Sequence, residues 1–119
     1  MLSAGYDVDV NMSSPMTADK LGRELRGRVL AGVQLIGQDM RQVDLVCANL
    51  TGADLSQAQL EGAVMHAARL RGANLVEAQL RQLAARDVDF EGANLEGVII
   101  KNTELEGANL KCINHKICE

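Results

Sequence analysis

Large apolar residues recur at every fifth position along most of this chain. From position 30 to position 110 the series reads Leu30, Leu35, Met40, Leu45, Leu50, Leu55, Leu60, Met65, Leu70, Leu75, Leu80, Ala85, Phe90, Leu95, Ile100, Leu105 and Leu110. A small or apolar residue, most often Ala, stands two places ahead of each, except at Arg28, Gln38 and Thr103. The other three places of each unit are mainly Asp, Asn, Gln, Glu, Arg, Lys, Ser and Gly. A period of five matches neither the roughly 3.6 of a helix nor the roughly 2 of a strand. Seventeen successive hits in one register are an internal repeat. Units too short to bury their own apolar side chains must stack, so the pattern predicts a solenoid.

A longer period lies above the short one. Gly32, Gly52, Gly72 and Gly92 are twenty apart, each in the last place of its unit, whereas the other three last-place columns are mixed. A coil of four units stacks such positions on one face. Glycine suits the third residue of a type II turn, which needs positive φ, so this face is expected to turn by type II throughout and the others to be freer. The inward columns are then Leu30, Leu50, Leu70, Phe90, Leu110; Leu35, Leu55, Leu75, Leu95; Met40, Leu60, Leu80, Ile100; and Leu45, Met65, Ala85, Leu105. Ala85 is small, but its unit carries Leu83 where Ala is usual, which keeps the core volume filled.

The units ANLTG, ADLSQ, AQLEG, ANLVE and ANLEG resemble the A(D/N)LXX motif of the pentapeptide-repeat family, over about Arg28 to Asn114. That resemblance implies an all-β solenoid, a right-handed quadrilateral β-helix with four pentapeptides to the square coil. Four to five coils at the ordinary strand spacing make a stub about 20 Å tall. Both ends of such a stack expose backbone and apolar side chains that need cover.

At the start, Ser14 is placed to cap a helix that has Pro15 in its first turn and Leu21 and Leu25 on one face. A capping helix is expected over about Pro15 to Arg26. Before it, Tyr6, Val8, Val10 and Met12 alternate with polar residues as an extended segment. The chain thus divides into an N-terminal segment, 1–27, and a solenoid, 28–119. At the other end the pattern fades, Ile113 still fitting an inward place and His115 replacing the expected leucine. An uncovered last coil bearing Leu105, Leu110, Ile113 and Ile117 predicts a homodimer through that end.

Composition narrows the function. One Tyr, one Phe and no Trp are too few aromatics for a typical ligand pocket. A net charge of −4 argues against nucleic acid as partner. No apolar run spans a membrane and the first residues lack a signal pattern, so the cytoplasm is the expected location. Cys47, Cys112 and Cys118 are an odd set for a disulfide framework and read as reduced thiols. Cys112, His115 and Cys118 are residue types that bind zinc, but the register puts Cys112 outward and His115 inward, so no metal site is expected. His66 lies outward near Arg86 without a nucleophile beside it. Acidic residues gather between Asp87 and Glu106, after Arg69, Arg71, Arg81 and Arg86, and none forms a catalytic pair. Phosphate-loop, nucleophile-elbow and zinc-protease motifs do not occur, so neither enzyme activity nor a cofactor is expected.

What remains is surface. Ile36, Val76 and Ile99 fall in outward places, and on the fourth face Val46, Val64, His66, Ala84 and Arg86 form an apolar-rich strip across adjacent coils. That strip is the candidate docking surface of a non-catalytic protein-interaction or scaffold module, its partner unnamed by the sequence. The family resemblance supplies an alternative, imitation of B-form DNA to bind DNA gyrase in the manner of quinolone-resistance proteins. The short rod and the four arginines weigh against it.

Overall fold

The computed structural model describes residues 22–115. Apolar residues five apart can all face one axis only if the chain turns between them. It turns at every unit, the amide two places after the turn's first outward residue returning to the inward leucine: Ala53 N–H donates to Leu50 C=O at 2.9 Å and Ala73 N–H to Leu70 C=O at 3.0 Å. Fourteen parallel bridges join the described residues, each linking a residue to the one twenty further on, from Glu24 with Asp44 to Asp89 with Asn109. Bridges five apart with a twenty-residue offset mean four sides to a coil. Each side holds one isolated bridge rather than a long strand, and coil-to-coil bonds such as Leu50 N–H to Arg69 C=O (2.7 Å) and Asn49 N–H to Arg28 C=O (2.9 Å) run along the stack.

Every corner, and not the glycine face alone, uses the left-handed region. Gly52 has φ of 70°, and Gln57, Ala67, Glu77, Gln82 and Asp87 lie between 57° and 61°. The expectation that three faces turn more freely is therefore corrected. A square coil in register needs the same turn at each corner, so non-glycine residues accept a strain of order 1 kcal/mol there. The motif's second residue explains how the corner is held. The amide after the inward leucine has no coil partner, and an Asp or Asn side chain two places back accepts from it: Asp54 Oδ1 from Ser56 (3.0 Å), Asn74 Oδ1 from Val76 (3.0 Å), Asn94 Oδ1 from Glu96 (3.1 Å).

Inside, Leu50, Leu55, Leu60, Met65, Leu70, Leu75, Leu80 and Phe90 are buried with the alanines between them, and both Leu83 and Ala85 are buried in the exchanged unit. No polar or charged residue among those described is buried, so the core is a dry stack of aliphatic layers. Leu25 belongs to it as well, fully buried beneath Leu45. This corrects the expected helix, whose last residues (22–26) form the first unit of the solenoid. Glu24 bridges to Asp44 and Leu25 N–H donates to Asp44 C=O at 2.8 Å. Five-residue spacing from Leu30, with Gly22 and Gly27 at the corners, outweighed the four-residue spacing of Leu21 and Leu25. The remainder of that helix, the extended segment before it and Ile117 lie outside the described residues.

At the C-terminal end Leu95 is only partly buried and Ile100, expected in the core, is 52% exposed. Their burial depends on a coil above them, and among the described residues no unit stacks above Ile100. The ladder ends at a short 3-10 turn, Ile113–His115, where Asn114 takes φ 57°. The Asn114 side chain accepts from Leu95 N–H at 2.6 Å, standing where a backbone carbonyl would continue the register.

Candidate functional site

The fourth face places Val64 and Ala84 in one bridged column between Asp44 and Glu104. Val46, Val64, His66 and Ala84 are half-buried and Arg86 is exposed, with Cys47 and Ala67 exposed along the corner. The apolar middle is bounded by charge at both ends. Arg26 pairs with Asp44 at 3.0 Å, and Arg86 approaches Glu104 at 4.0 Å. The Val46 amide, ahead of Arg26, holds the Asp44 carboxyl below the usual carboxylate range against the opposing effect of burial.

His66 has a structural duty on this face. Ala84 cannot offer the side-chain acceptor that Asp or Asn gives elsewhere, and His66 Nδ1, one coil below, accepts from Arg86 N–H at 3.0 Å instead. The sequence reading of His66 as a plain surface residue missed this bond. Its signal was the coincidence of Ala84 with a histidine twenty residues before Arg86.

The other faces carry charge in different ways. On the first, Arg71 bridges Asp89 (2.7 Å) and Glu91 (2.9 Å), and Asn109 donates to both carboxylates. Burial alone would raise the Asp89 carboxyl, but Arg71, Glu91 N–H and Asn109 together hold it below the usual range. The second, residues 33–37, 53–57, 73–77 and 93–97, has no Lys or Arg. On the third, Arg41 clasps Asp39 through its guanidinium (2.9 Å) and its backbone amide (3.1 Å), holding that carboxyl far below its usual range. Higher on this face, Glu61, Arg81, Gln82, Lys101 and Asn102 line a shallow open depression of about 340 Å³.

The expected dimer end is divided by the structure. Leu105 and Ile113 are partly buried against the core, whereas Leu110 is 40% exposed and Ile100 is open as well. Cys112 is disulfide-bonded, which corrects its reading as a reduced thiol; Cys47 is free, as read. Among the described residues no three His, Cys, Asp or Glu side chains gather to hold a metal, and no helix is long and apolar enough to cross a membrane.

A family model described as pentapeptide repeats matches in eight copies over residues 29–66, 48–82 and 73–111. The crystal structure of Rfr23, a pentapeptide repeat protein from the cyanobacterium Cyanothece, is similar with a TM-score of 0.72 at 32% identity, over 72% of this chain and 58% of that one. A pentapeptide repeat protein of the Arabidopsis thaliana thylakoid lumen matches with a TM-score of 0.50 at 35% identity, over 75% of this chain and 66% of that one. QnrB1, a plasmid-mediated fluoroquinolone resistance protein, shares the fold at 15% identity, with a TM-score of 0.50 over 76% of this chain and 58% of that one. The chain thus spans less than two thirds of the length of each. A search of curated proteins finds no match.

Proposed function

This chain belongs to the pentapeptide-repeat family, and we propose on that premise that it is a rigid, non-catalytic protein-interaction module. Its right-handed square coil presents flat faces, and the fourth face is the one that docks a protein partner. The observation that carries this is the column of Val64 and Ala84, the two outward places where an aliphatic side chain sits directly over another with Val46 alongside. Charged pairs at either end frame it, which suits a partner with an apolar patch and polar rim. The open end near Ile100 and Leu110 supports self-association as a second contact.

The test is capture from an extract by the purified chain beside a Val64→Glu/Ala84→Glu variant with an unchanged melting curve. The reading expects one protein held by the first and lost by the second. Equal capture by both, or none by either, overturns it. Gyrase binding by DNA mimicry has less support. The likeness to QnrB1 is one of fold alone, and Arg26, Arg71 and Arg86 set cations among the carboxylates on two of the four faces.

A further inference from the structure

The third face shows the same corner in two states. At Arg41 the backbone amide and the guanidinium converge on one carboxylate, that of Asp39 two places back. Two coils further on Arg81 occupies the equivalent place, but Gln79 stands where Asp39 did and makes no such bond. Gln is one methylene longer than Asn and does not close this turn. The next coil repeats the change with Ile99 ahead of Lys101, and the Ile side chain has no acceptor at all. Among the described residues the backbone amides of Arg81 and Lys101 therefore have no acceptor, and Asn102 is at positive φ beside them.

Their side chains are uncompensated too. Among the described residues neither Arg81 nor Lys101 has a carboxylate within ion-pair distance, whereas Arg23, Arg26, Arg41, Arg71 and Arg86 each meet one. Like charges stacked on neighbouring coils, about 4.8 Å apart at the backbone, repel one another. The depression that they line opens at this corner, with the carboxamides of Gln82 and Asn102 beside it. Glu61 is at its lower edge, one carboxylate oxygen enclosed without a partner.

We infer that this corner binds a doubly charged oxyanion of a small ligand, a phosphate or a dicarboxylate. The anion lies in the depression and gives both cationic side chains the counter-charge that Asp39 gives Arg41. Glu61 repels an anion from the lower edge and so confines it to the upper pair. This site is independent of the fourth-face docking strip.

The experiment is an amide-resolved NMR titration with inorganic phosphate and, separately, succinate. Saturable shifts at Arg81, Lys101 and Asn102 are expected with at least one of them, and which one saturates identifies the anion class. An Arg81→Gln/Lys101→Gln variant should weaken that binding about tenfold or more, the loss of about 1.4 kcal/mol or more. Gln79→Asp should do so by supplying the internal carboxylate while keeping both cations. Glu61→Gln should leave it equal or tighter. All of these positions are outward, and a melt of each variant verifies the fold. The proposal is overturned if neither anion gives saturable shifts, if Gln79→Asp binds as the parent does, or if Glu61→Gln weakens binding.

Discussion

At the scale of single residues, the structure turns on how each corner amide is satisfied. Where Asp or Asn fills the second place of the unit the acceptor is local, and at Arg86 it is borrowed from His66 on another coil. His66→Ala should therefore cost about 1 kcal/mol in a urea melt, and Ala84→Asn in the same chain should recover most of it. An unchanged midpoint in the single variant would show that the His66 bond contributes nothing. The carboxylates give a pH dependence of fixed sign. Asp39, Asp44 and Asp89 are all held below their ordinary values in the fold, so their ionised forms stabilise it. That stability is fully present above the unfolded value near about 3.9 and is lost as pH falls through the lowered folded values. Urea midpoints should be flat from neutral pH to about 5 and fall below about 4. Asp44→Asn, which keeps an acceptor for Val46 but cannot ionise, should flatten part of that fall.

The pentapeptide unit is the next scale, and there the corner geometry decides what is tolerated. A side-chain carbon at Gly107 would collide with the Asp87 carboxylate stacked beneath it, on top of a φ of 74°. Gly107→Ala should thus destabilise by about 1–3 kcal/mol, with Asp87→Ala in the same chain relieving the collision but not the backbone strain. Gly52→Ala meets no neighbour within 4 Å, so only the strain remains and its cost should be the smaller. Thermal melts of the three variants distinguish these contributions. At this scale the sequence was highly legible, because Leu50, Leu70 and the alanines between them declare the inward places whatever the partner of each coil. The ends were not. Ser14, Pro15 and the Leu21–Leu25 pair imitate a helix start, yet Leu25 is five residues before Leu30 and is drawn into the stack. Ile100 carries the same signal as Leu80 and differs in that no described unit stacks above it. The third-face corner was also missed, since Gln79 resembles Asn in polarity and only the turn geometry separates them.

As a whole molecule, the chain is a short stack with distinct sides. Among the described residues one face lacks cations, one pairs Arg71 with Asp89 and Glu91, one gives Arg81 and Lys101 no carboxylate within ion-pair distance, and one is apolar in the middle. The C-terminal end exposes Ile100 and Leu110, and self-association there should disappear in an Ile100→Lys/Leu110→Lys variant. Sedimentation equilibrium finding the parent chain monomeric across the micromolar range would remove the dimer from the account. Both proposed surfaces depend on one assignment, which residues point in and which point out. The most direct test is the thermal unfolding of Leu70→Asp beside Arg69→Asp, followed by circular dichroism. Leu70 is fully buried and its neighbour Arg69 is exposed. The account predicts that Leu70→Asp abolishes the cooperative transition, since an unpaired charge would lie in the dry core, and that Arg69→Asp shifts it by no more than about 0.5 kcal/mol. A cooperative melt retained by Leu70→Asp would contradict the register, and with it the placement of every surface residue.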